Sequence, residues 1–210
     1  MNNNWAKLCI SLLVVGLGGC ASMSADECAN SDWTAVGFED GARGYTSDRF
    51  SNRRKACAKH GVTADFQAYQ TGRNQGLQEF CQPARGYNFG VNGGRYNGVC
   101  AAEYEPDFLD AYHAGYQLHT LRSNVADANS RIHDKEYELE RIEKKSLATG
   151  AMLVGSDMTT EERILALSDL KKMSKRSGRL EAEIVSLHDE LARLEDELHH
   201  YEHTVADFGY

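Results

Sequence analysis

The residues of this sequence whose types best suit covalent or metal chemistry are its cysteines and histidines. Four cysteines lie well beyond the amino terminus, Cys28, Cys57, Cys81 and Cys100. They lack the CxxC spacing typical of zinc ligands, and the CxxH spacing of Cys57 and His60 has no second pair of the same kind, so no metal site is predicted from them. His60 has no evident nucleophile beside it, and no paired carboxylates flank a recognisable cleft. The sequence therefore predicts a non-enzymatic protein with no cofactor.

The first twenty residues are organised like an export signal. A polar start precedes an apolar run, residues 8–17, that is too short to cross a bilayer as a stable helix. The run ends Leu17-Gly18-Gly19-Cys20, which resembles the lipobox of bacterial lipoprotein signal peptides. The resemblance implies that residues 1–19 are removed and that Cys20 is acylated, palmitate included. An ordinary secretory signal that happens to contain a cysteine is the alternative.

The two residues after Cys20 predict in which membrane the protein is anchored. Several acyl chains would hold the protein on a membrane permanently, since even two signals give stable attachment. Ala21 and Ser22 follow the cysteine. In the lipoprotein sorting pattern that this resembles, the absence of Asp there implies the outer membrane. We therefore expect a lipid-anchored protein on the periplasmic face of the outer membrane.

An exported chain with an even number of cysteines favours disulfides, because the periplasm is oxidising. Four cysteines allow three pairings, and the sequence alone does not decide among them. We favour Cys28–Cys57 and Cys81–Cys100. The second pair would close residues 88–94, a stretch that we interpret as a turn-rich loop with little apolar material of its own.

A short pattern recurs in the cysteine-containing region. Three times an aromatic residue precedes a glycine by three positions in a helix-like stretch, at Phe38 and Gly41, Tyr69 and Gly72, and Tyr112 and Gly115. Glycine inside a helix costs about 1 kcal/mol relative to alanine, so its repeated use suggests close backbone approach. We predict three short helices that cross at these glycines.

A functional interpretation of the same region stays open. The glycines and tyrosines could instead line a glycan or peptide cleft. The residues that would contact such a ligand are Tyr45, Tyr69, Arg73, Tyr87 and Tyr96.

Several motifs together carry a resemblance to a known family. They are Asp32-Trp33, Gly41-Ala42-Arg43-Gly44, Cys57-Ala58-Lys59-His60-Gly61, residues 69–77, Phe80-Cys81, residues 90–96 and Val99-Cys100. With the lipobox-like start, this set is similar to a family of proteobacterial lipoproteins catalogued as domain of unknown function 2799. The similarity covers about Cys28 to Leu118. It implies the architecture and assigns no catalytic residue.

Beyond Pro106 the sequence predicts two long helices. One heptad-like seam consists of Leu118, Leu121, Val125, Ala128, Ile132, Leu139 and Ile142. The other consists of Leu180, Ile184, Leu187, Leu191, Leu194, Leu198 and Tyr201. Two such seams joined by a short connection are expected to fold back on each other as an antiparallel coiled coil.

The turn of this hairpin is predicted at about residues 148–159. Thr149-Gly150 is expected to end the first helix, and Thr159 with Glu162 forms a capping box for the second. Residues 152–154 are apolar and would either pack inside the turn or contact another molecule.

Counting back from that turn places Lys135, the one polar residue in its seam, close to Met173 and Ser177. A polar layer there would cost stability and fix the register of the two helices.

Charge is divided unevenly between the two regions. Residues 21–105 hold 9 Lys and Arg against 10 Asp and Glu, whereas residues 106–210 hold 13 against 21. An acidic hairpin without a basic, aromatic patch makes nucleic acid an unlikely partner. His199 and His203 have the i, i+4 spacing that can chelate a metal, but the heptad register points both away from the seam and fixes no third ligand.

Taken together, the sequence predicts a mainly α protein. A disulfide-paired helical head with a glycine-rich loop, residues 20–105, precedes the antiparallel hairpin, residues 106–210. The expected role is structural, as an adaptor or spacer that contacts another envelope protein or a second copy through the coiled coil. Binding of a glycan such as a peptidoglycan fragment by the head is the alternative.

Overall fold

A computed structural model describes residues 23–155 and 157–207, and all regular structure in these ranges is helical. The predicted signal peptide and Cys20 lie outside the described residues. The helices are α1 (Ala25–Asn30), α2 (Trp33–Ala42), α3 (Asp48–Ala58), α4 (Phe66–Phe80), α5 (Pro83–Val91), α6 (Glu105–Val154) and α7 (Thr160–Asp207). The predicted fold class, a disulfide-paired helical head followed by a long helical hairpin, is confirmed.

The chain divides into two compact units. The first contains the described residues up to Cys81 together with Tyr96–Ala101, and the second contains Gln82–Arg95 and the chain from Ala102 onward. This division differs from the predicted boundary at residue 105. It differs because α5, which the sequence interpretation assigned to the head, packs along α6.

The first unit is built from short helices with polar caps. The side chain of Ser24 caps α1 in a capping box with Glu27, Asp32 caps α2, and Asp65 caps α4. These caps satisfy backbone N–H groups that each short helix leaves unpaired. The core beneath them consists of Cys28, Trp33, Phe50, Cys57, Ala64 and Tyr69.

Helices α2 and α4 cross at four glycines. A Cβ added at Gly37 would overlap the carbonyl oxygen of Tyr69, and one added at Gly72 would overlap that of Thr34. Gly41 and Gly76 meet the backbone of the opposite helix in the same way. The two backbones therefore touch directly, as the predicted crossing at Gly41 and Gly72 requires.

The second unit repeats this arrangement between α5 and α6. Gly90 lies against the backbone at Tyr112, and Gly115 lies against that at Tyr87. The third predicted crossing glycine, Gly115, is thus confirmed, although it belongs to the long helix α6 and not to a short one. The prediction of a turn-rich loop at residues 88–94 was wrong for most of its length. Those residues are helical through Val91, because glycines on one face of α5 fit the backbone of α6.

The rest of α6 pairs with α7 along the two predicted seams. The most deeply buried seam residues are Leu118, Leu121, Ala128, Ile132, Leu180 and Leu187. Spacing of three and four residues keeps these side chains on one stripe of each helix, where the partner helix covers them.

The turn between α6 and α7 starts later than predicted. Helix α6 continues through Thr149 and Gly150 to Val154, and the Thr149 hydroxyl donates a 2.9 Å hydrogen bond to the Lys145 carbonyl inside the helix. A single glycine costs the helix about 1 kcal/mol, which is too little to end it beside a partner helix. The predicted capping box is confirmed. The Glu162 carboxylate accepts a hydrogen bond from the Thr159 backbone N–H at 2.7 Å. The Thr159 hydroxyl accepts one from the Glu162 backbone N–H at 3.3 Å.

Candidate functional site

Both disulfides have the favoured pairing. Cys28–Cys57 ties α1 to α3 across 29 positions, and Cys81–Cys100 joins the end of α4 to the segment Tyr96–Ala101 across 19 positions. All four cysteines are at most 9% exposed. They hold the first unit together and offer no accessible thiol for chemistry.

A buried ionic network lies at the centre of the first unit. The carboxylate of Asp40 is in the core and accepts two hydrogen bonds from the Arg53 guanidinium, at 2.8 and 3.0 Å. The Tyr69 hydroxyl donates a third hydrogen bond to it at 3.0 Å. Burying a carboxylate is costly unless it is paired and fully hydrogen-bonded, and this site meets both conditions.

This network keeps Tyr69 protonated. Burial raises the pKa of the Tyr69 phenol to about 12, and the negative charge of Asp40 and the hydrogen bond to it act in the same direction. The phenol therefore serves as a fixed donor to Asp40 at every physiological pH.

Sequence interpretation missed Asp40 and Arg53, although one signal was present. Asp40 falls between Gly37 and Gly41, the two glycines by which α2 meets α4. A carboxylate on the face of a helix that carries its small contact residues must be buried and needs a cation. Arg53, one turn after the core residue Phe50, supplies that cation.

The five residues predicted to contact a ligand have different surroundings in the structure. Tyr69 is 1% exposed and belongs to the core. Arg73 donates hydrogen bonds to the Tyr45 carbonyl at 2.9 and 3.3 Å, and so closes the loop after α2. The Tyr96 hydroxyl accepts a 3.0 Å hydrogen bond from the backbone N–H of Cys100. Tyr87 belongs to the second compact unit, whereas the other four belong to the first.

One open depression of about 450 Å³ does exist on the first unit. It is lined by Met23, Glu27, Asn30, Ser31, Val36 and Arg53. The Arg53 side chain reaches it while both of its terminal nitrogens are bound to Asp40. The depression thus offers hydrogen-bonding groups, and the hydroxyl of Ser31 in its lining already donates to the Glu27 carbonyl.

Ion pairs between α6 and α7 set the register of the hairpin. Lys135 contacts Glu183 at 2.7 Å, and Arg176 contacts Glu138 at 2.7 Å. The prediction that Lys135 lies near Met173 and Ser177 was therefore wrong by about two helical turns. Because α6 runs on to Val154, the turning point moves along the chain and every partner on α7 moves with it.

The Lys135–Glu183 contact also changes the acidity of the glutamate. The hydrogen bond from Lys135 lowers the pKa of the Glu183 carboxyl, and the charges of Lys135, Arg176 and Arg179 lower it further. Glu183 thus remains ionised in the folded hairpin at lower pH than an isolated glutamate would.

One arginine links the described residues on the two sides of the hairpin turn, and apolar side chains surround it. Arg163 donates to the carbonyl oxygens of Leu153 and Gly155, at 2.8 and 3.0 Å, so one side chain from the start of α7 holds the end of α6. Six large apolar residues near Arg163 have 58–89% of their surface exposed: Leu147, Met152, Val154, Ile164, Leu165 and Leu167.

Residues 152–154 are only partly packed inside the turn. Leu153 is half-buried, whereas Met152 and Val154 are exposed to 64% and 89%. An exposed group of apolar side chains of this kind marks an interaction surface in many soluble proteins. We call the six exposed apolar residues of the preceding paragraph the apolar tip, and it is the candidate functional site of the hairpin.

A comparison with known protein families finds a match for one part of the chain. Residues 32–117 match the model of a family described as "Protein of unknown function (DUF2799)". This part of the chain is a DUF2799 domain. The DUF2799 domain contains both glycine crossings and ends just before Leu118, the first residue of the hairpin seam. No curated protein and no solved structure matches the chain.

The described residues were also searched for membrane-spanning helices and for groups of metal ligands. No helix in the described part is both long and apolar enough to cross a membrane. Residues 23–155 and 157–207 also contain no group of three or more His, Cys, Asp or Glu side chains placed to hold a metal ion.

Proposed function

We propose that this protein is a lipid-anchored envelope protein that acts by binding another protein at the apolar tip of its hairpin. In this proposal Cys20 is acylated and holds the chain on the periplasmic face of the outer membrane. The DUF2799 domain follows the anchor, and the hairpin is the docking arm. The proposal includes no catalytic step.

The observation that carries this proposal is the exposure of the apolar tip. Elsewhere on the hairpin, leucines follow the seam and are covered by the partner helix. At the tip they extend around the start of α7, where Ile164, Leu165 and Leu167 are all more than half exposed. Neighbouring exposed apolar side chains of this size suit this end of the hairpin to being covered by another molecule.

The charge of the tip favours a particular kind of partner. Residues 146–170 contain one basic side chain, Arg163, against four acidic ones. The guanidinium of Arg163 is already bound to backbone carbonyls of the turn. Two copies of this surface would repel each other, as would an anionic lipid surface. A protein groove with an apolar floor and a basic rim fits best.

The first unit supports attachment near a membrane. Helix α3 carries the exposed side chains of Arg49, Arg54 and Lys55, and Lys59 follows it. The disulfide Cys28–Cys57 ties α3 to α1, which begins five positions after Cys20. Basic side chains near an anionic membrane surface add about 1 kcal/mol of attraction each, and the acidic residues of α1 offset part of it.

The anchor is tested by mass spectrometry of the protein purified from cells. We expect a mature chain that starts at Cys20 and carries a diacylglyceryl group and an amide-linked acyl chain. A Cys20→Ser variant should keep its signal peptide and carry no acyl group. A mature chain with an unmodified amino terminus at any other residue would contradict the anchor.

The docking arm is tested by photo-crosslinking in living cells. A photoreactive residue is placed at Leu165 in the tip, and in a matched control at Val185, which is exposed to a similar degree on the side of α7. We expect one heterologous adduct from position 165 and none from position 185. The adduct should disappear when Ile164 and Leu167 are both changed to serine.

Two results would contradict the docking proposal. An adduct of twice the mass of the chain would show that the tip binds a second copy. The same adducts from positions 165 and 185 would show that the tip has no special role.

A further inference from the structure

We infer that His199 and His203 form a chelating site for a divalent transition-metal ion. Their Nε2 atoms converge to 3.2 Å, with the two rings nearly perpendicular at 87°. Both side chains are exposed on α7, so an ion from solution can reach them. This site is independent of the apolar tip and of the proposed anchor.

The distance between the two nitrogens suits shared coordination. Zinc binds imidazole nitrogen at about 2.0–2.1 Å, so two ligands at a tetrahedral angle lie roughly 3.3 Å apart. The observed 3.2 Å separation therefore leaves room for one ion bound to both Nε2 atoms with small ring movements. Because both residues are fixed one turn apart on a 48-residue helix, little order is lost when the ion binds.

The ligand type selects the metal. Two imidazoles favour zinc, copper or nickel, whereas calcium and magnesium prefer oxygen ligands. Copper(II) is expected to bind most tightly, following the general order of affinities for nitrogen sites. Since no third side chain lies at metal-binding distance among the described residues, water molecules would complete the coordination.

The surroundings favour a cation. Residues 195–203 contain four acidic side chains and no Lys or Arg, so the local field attracts positive ions. Arg122 from α6 reaches this segment, but its guanidinium is paired with Glu202 at 2.7 Å.

Metal binding requires the hydrogen bond between the two rings to open. The two Nε2 atoms lie at hydrogen-bonding distance, and a hydrogen bond between them needs a proton on one of the two. Binding a metal requires both Nε2 lone pairs, so the donor ring moves its proton from Nε2 to Nδ1 by exchange with water. No net proton is released by neutral rings.

The other histidines provide the comparison. His119 is bound through Nδ1 to the Val91 carbonyl at 3.2 Å, and His133 faces Glu136 at 3.4 Å. His188 is exposed on α7 like the pair, yet no histidine lies three or four residues from it. Replacing His188 thus removes an exposed imidazole without touching the chelate.

The experiment titrates the purified full chain with Cu²⁺ and with Zn²⁺ by calorimetry, with electron paramagnetic resonance for copper. We expect one strong site per chain with two nitrogen ligands. His199→Ala or His203→Ala should each raise the dissociation constant about 100-fold, because a single imidazole loses the benefit of the linked second ligand. His188→Ala should leave that constant unchanged.

Chemical modification gives a second readout on the unaltered protein. Diethyl pyrocarbonate labelling, read by mass spectrometry, should be suppressed by metal at positions 199 and 203 together and not at 188. Equal affinity of the His199→Ala variant and the unaltered chain would overturn the inference. Labelling of position 199 or 203 that metal does not reduce would overturn it as well.

Discussion

Tyr69 of α4 donates a 3.0 Å hydrogen bond to the buried carboxylate of Asp40 on α2. That bond, with the two from Arg53, joins three helices of the first unit through one carboxylate. A tyrosine that the sequence offered as a ligand contact is therefore a structural donor. Its protonation and the stability of the unit are linked.

Replacing Tyr69 by phenylalanine should lower stability in a pH-dependent way. The folded-state pKa of Tyr69 is raised to about 12, above the unfolded value of about 10. The stabilisation it provides is thus fully present below about pH 10 and is lost as pH rises towards 12. At neutral pH the loss of one hydrogen bond to a charged group should cost about 1.5–3 kcal/mol.

The measurement is urea unfolding followed by the fluorescence of Trp33, which lies in the same core. The difference between the unaltered protein and Tyr69→Phe should shrink between pH 10 and pH 12. Tyr137→Phe, at a tyrosine that is 64% exposed, is the matched control and should change little at any pH. A difference independent of pH would show that the phenol proton is not linked to folding.

Adding one methyl group at Gly72 should disrupt the crossing of α2 and α4. The new Cβ of Gly72→Ala would overlap the backbone carbonyl of Thr34, which cannot move without shifting α2. Overpacking of this kind costs about 1–3 kcal/mol. Gly178→Ala on α7 is the control, because nothing lies within 4 Å of its added Cβ, and it should gain about 0.5–1 kcal/mol. Equal effects of the two variants on thermal unfolding would argue against backbone contact at Gly72.

The hairpin should depend on its seam and not on its exposed apolar residues. Leu180 is fully buried between α6 and α7, whereas Val185 is 61% exposed. Leu180→Ala should therefore cost about 2–5 kcal/mol, and Val185→Ala should stay within about 0.5 kcal/mol. Thermal melting followed by circular dichroism at 222 nm measures both. Similar losses in both variants would mean that Val185 is covered in solution.

Removing the second disulfide should weaken the first unit without unfolding the hairpin. The Cys81–Cys100 bond spans 19 positions, and closing a loop of that length is worth about 3 kcal/mol. Replacing both cysteines by serine should shift the urea midpoint of the Trp33 fluorescence change. The helical signal of α6 and α7 should remain. Unchanged Trp33 unfolding would show that the bond is not needed to stabilise this unit.

Much of the architecture could be predicted because it depends on local periodicity. Seam spacing specified the hairpin, and the aromatic–glycine pattern located three crossing glycines. Helix α5 was missed because the glycines and asparagines of residues 83–94 favour turns when read alone. Only the backbone of α6 pressed against Gly86 and Gly90 makes helix the better choice.

The buried network shows a different limit of sequence interpretation. Asp40 and Arg53 are thirteen positions apart and lie on different helices, so nothing local links them. Tyr69 could be recognised as important, but its role depends on which face of α4 meets α2. Such roles follow from tertiary packing, which short-range patterns do not determine.

The order of charges along the hairpin has a consequence for its length. Arg131 and Lys135 of α6 face Glu190 and Glu183 of α7, but at Glu138 the signs are reversed and Arg176 is the cation. A slip of α7 by one heptad in one direction would set Lys135 against Arg176, and in the other would set Glu138 against Glu183. Either slip would displace one end by about 10 Å. Exposed ion pairs add little stability. The reversal nevertheless disfavours both slipped registers, so that every molecule has a hairpin of the same length.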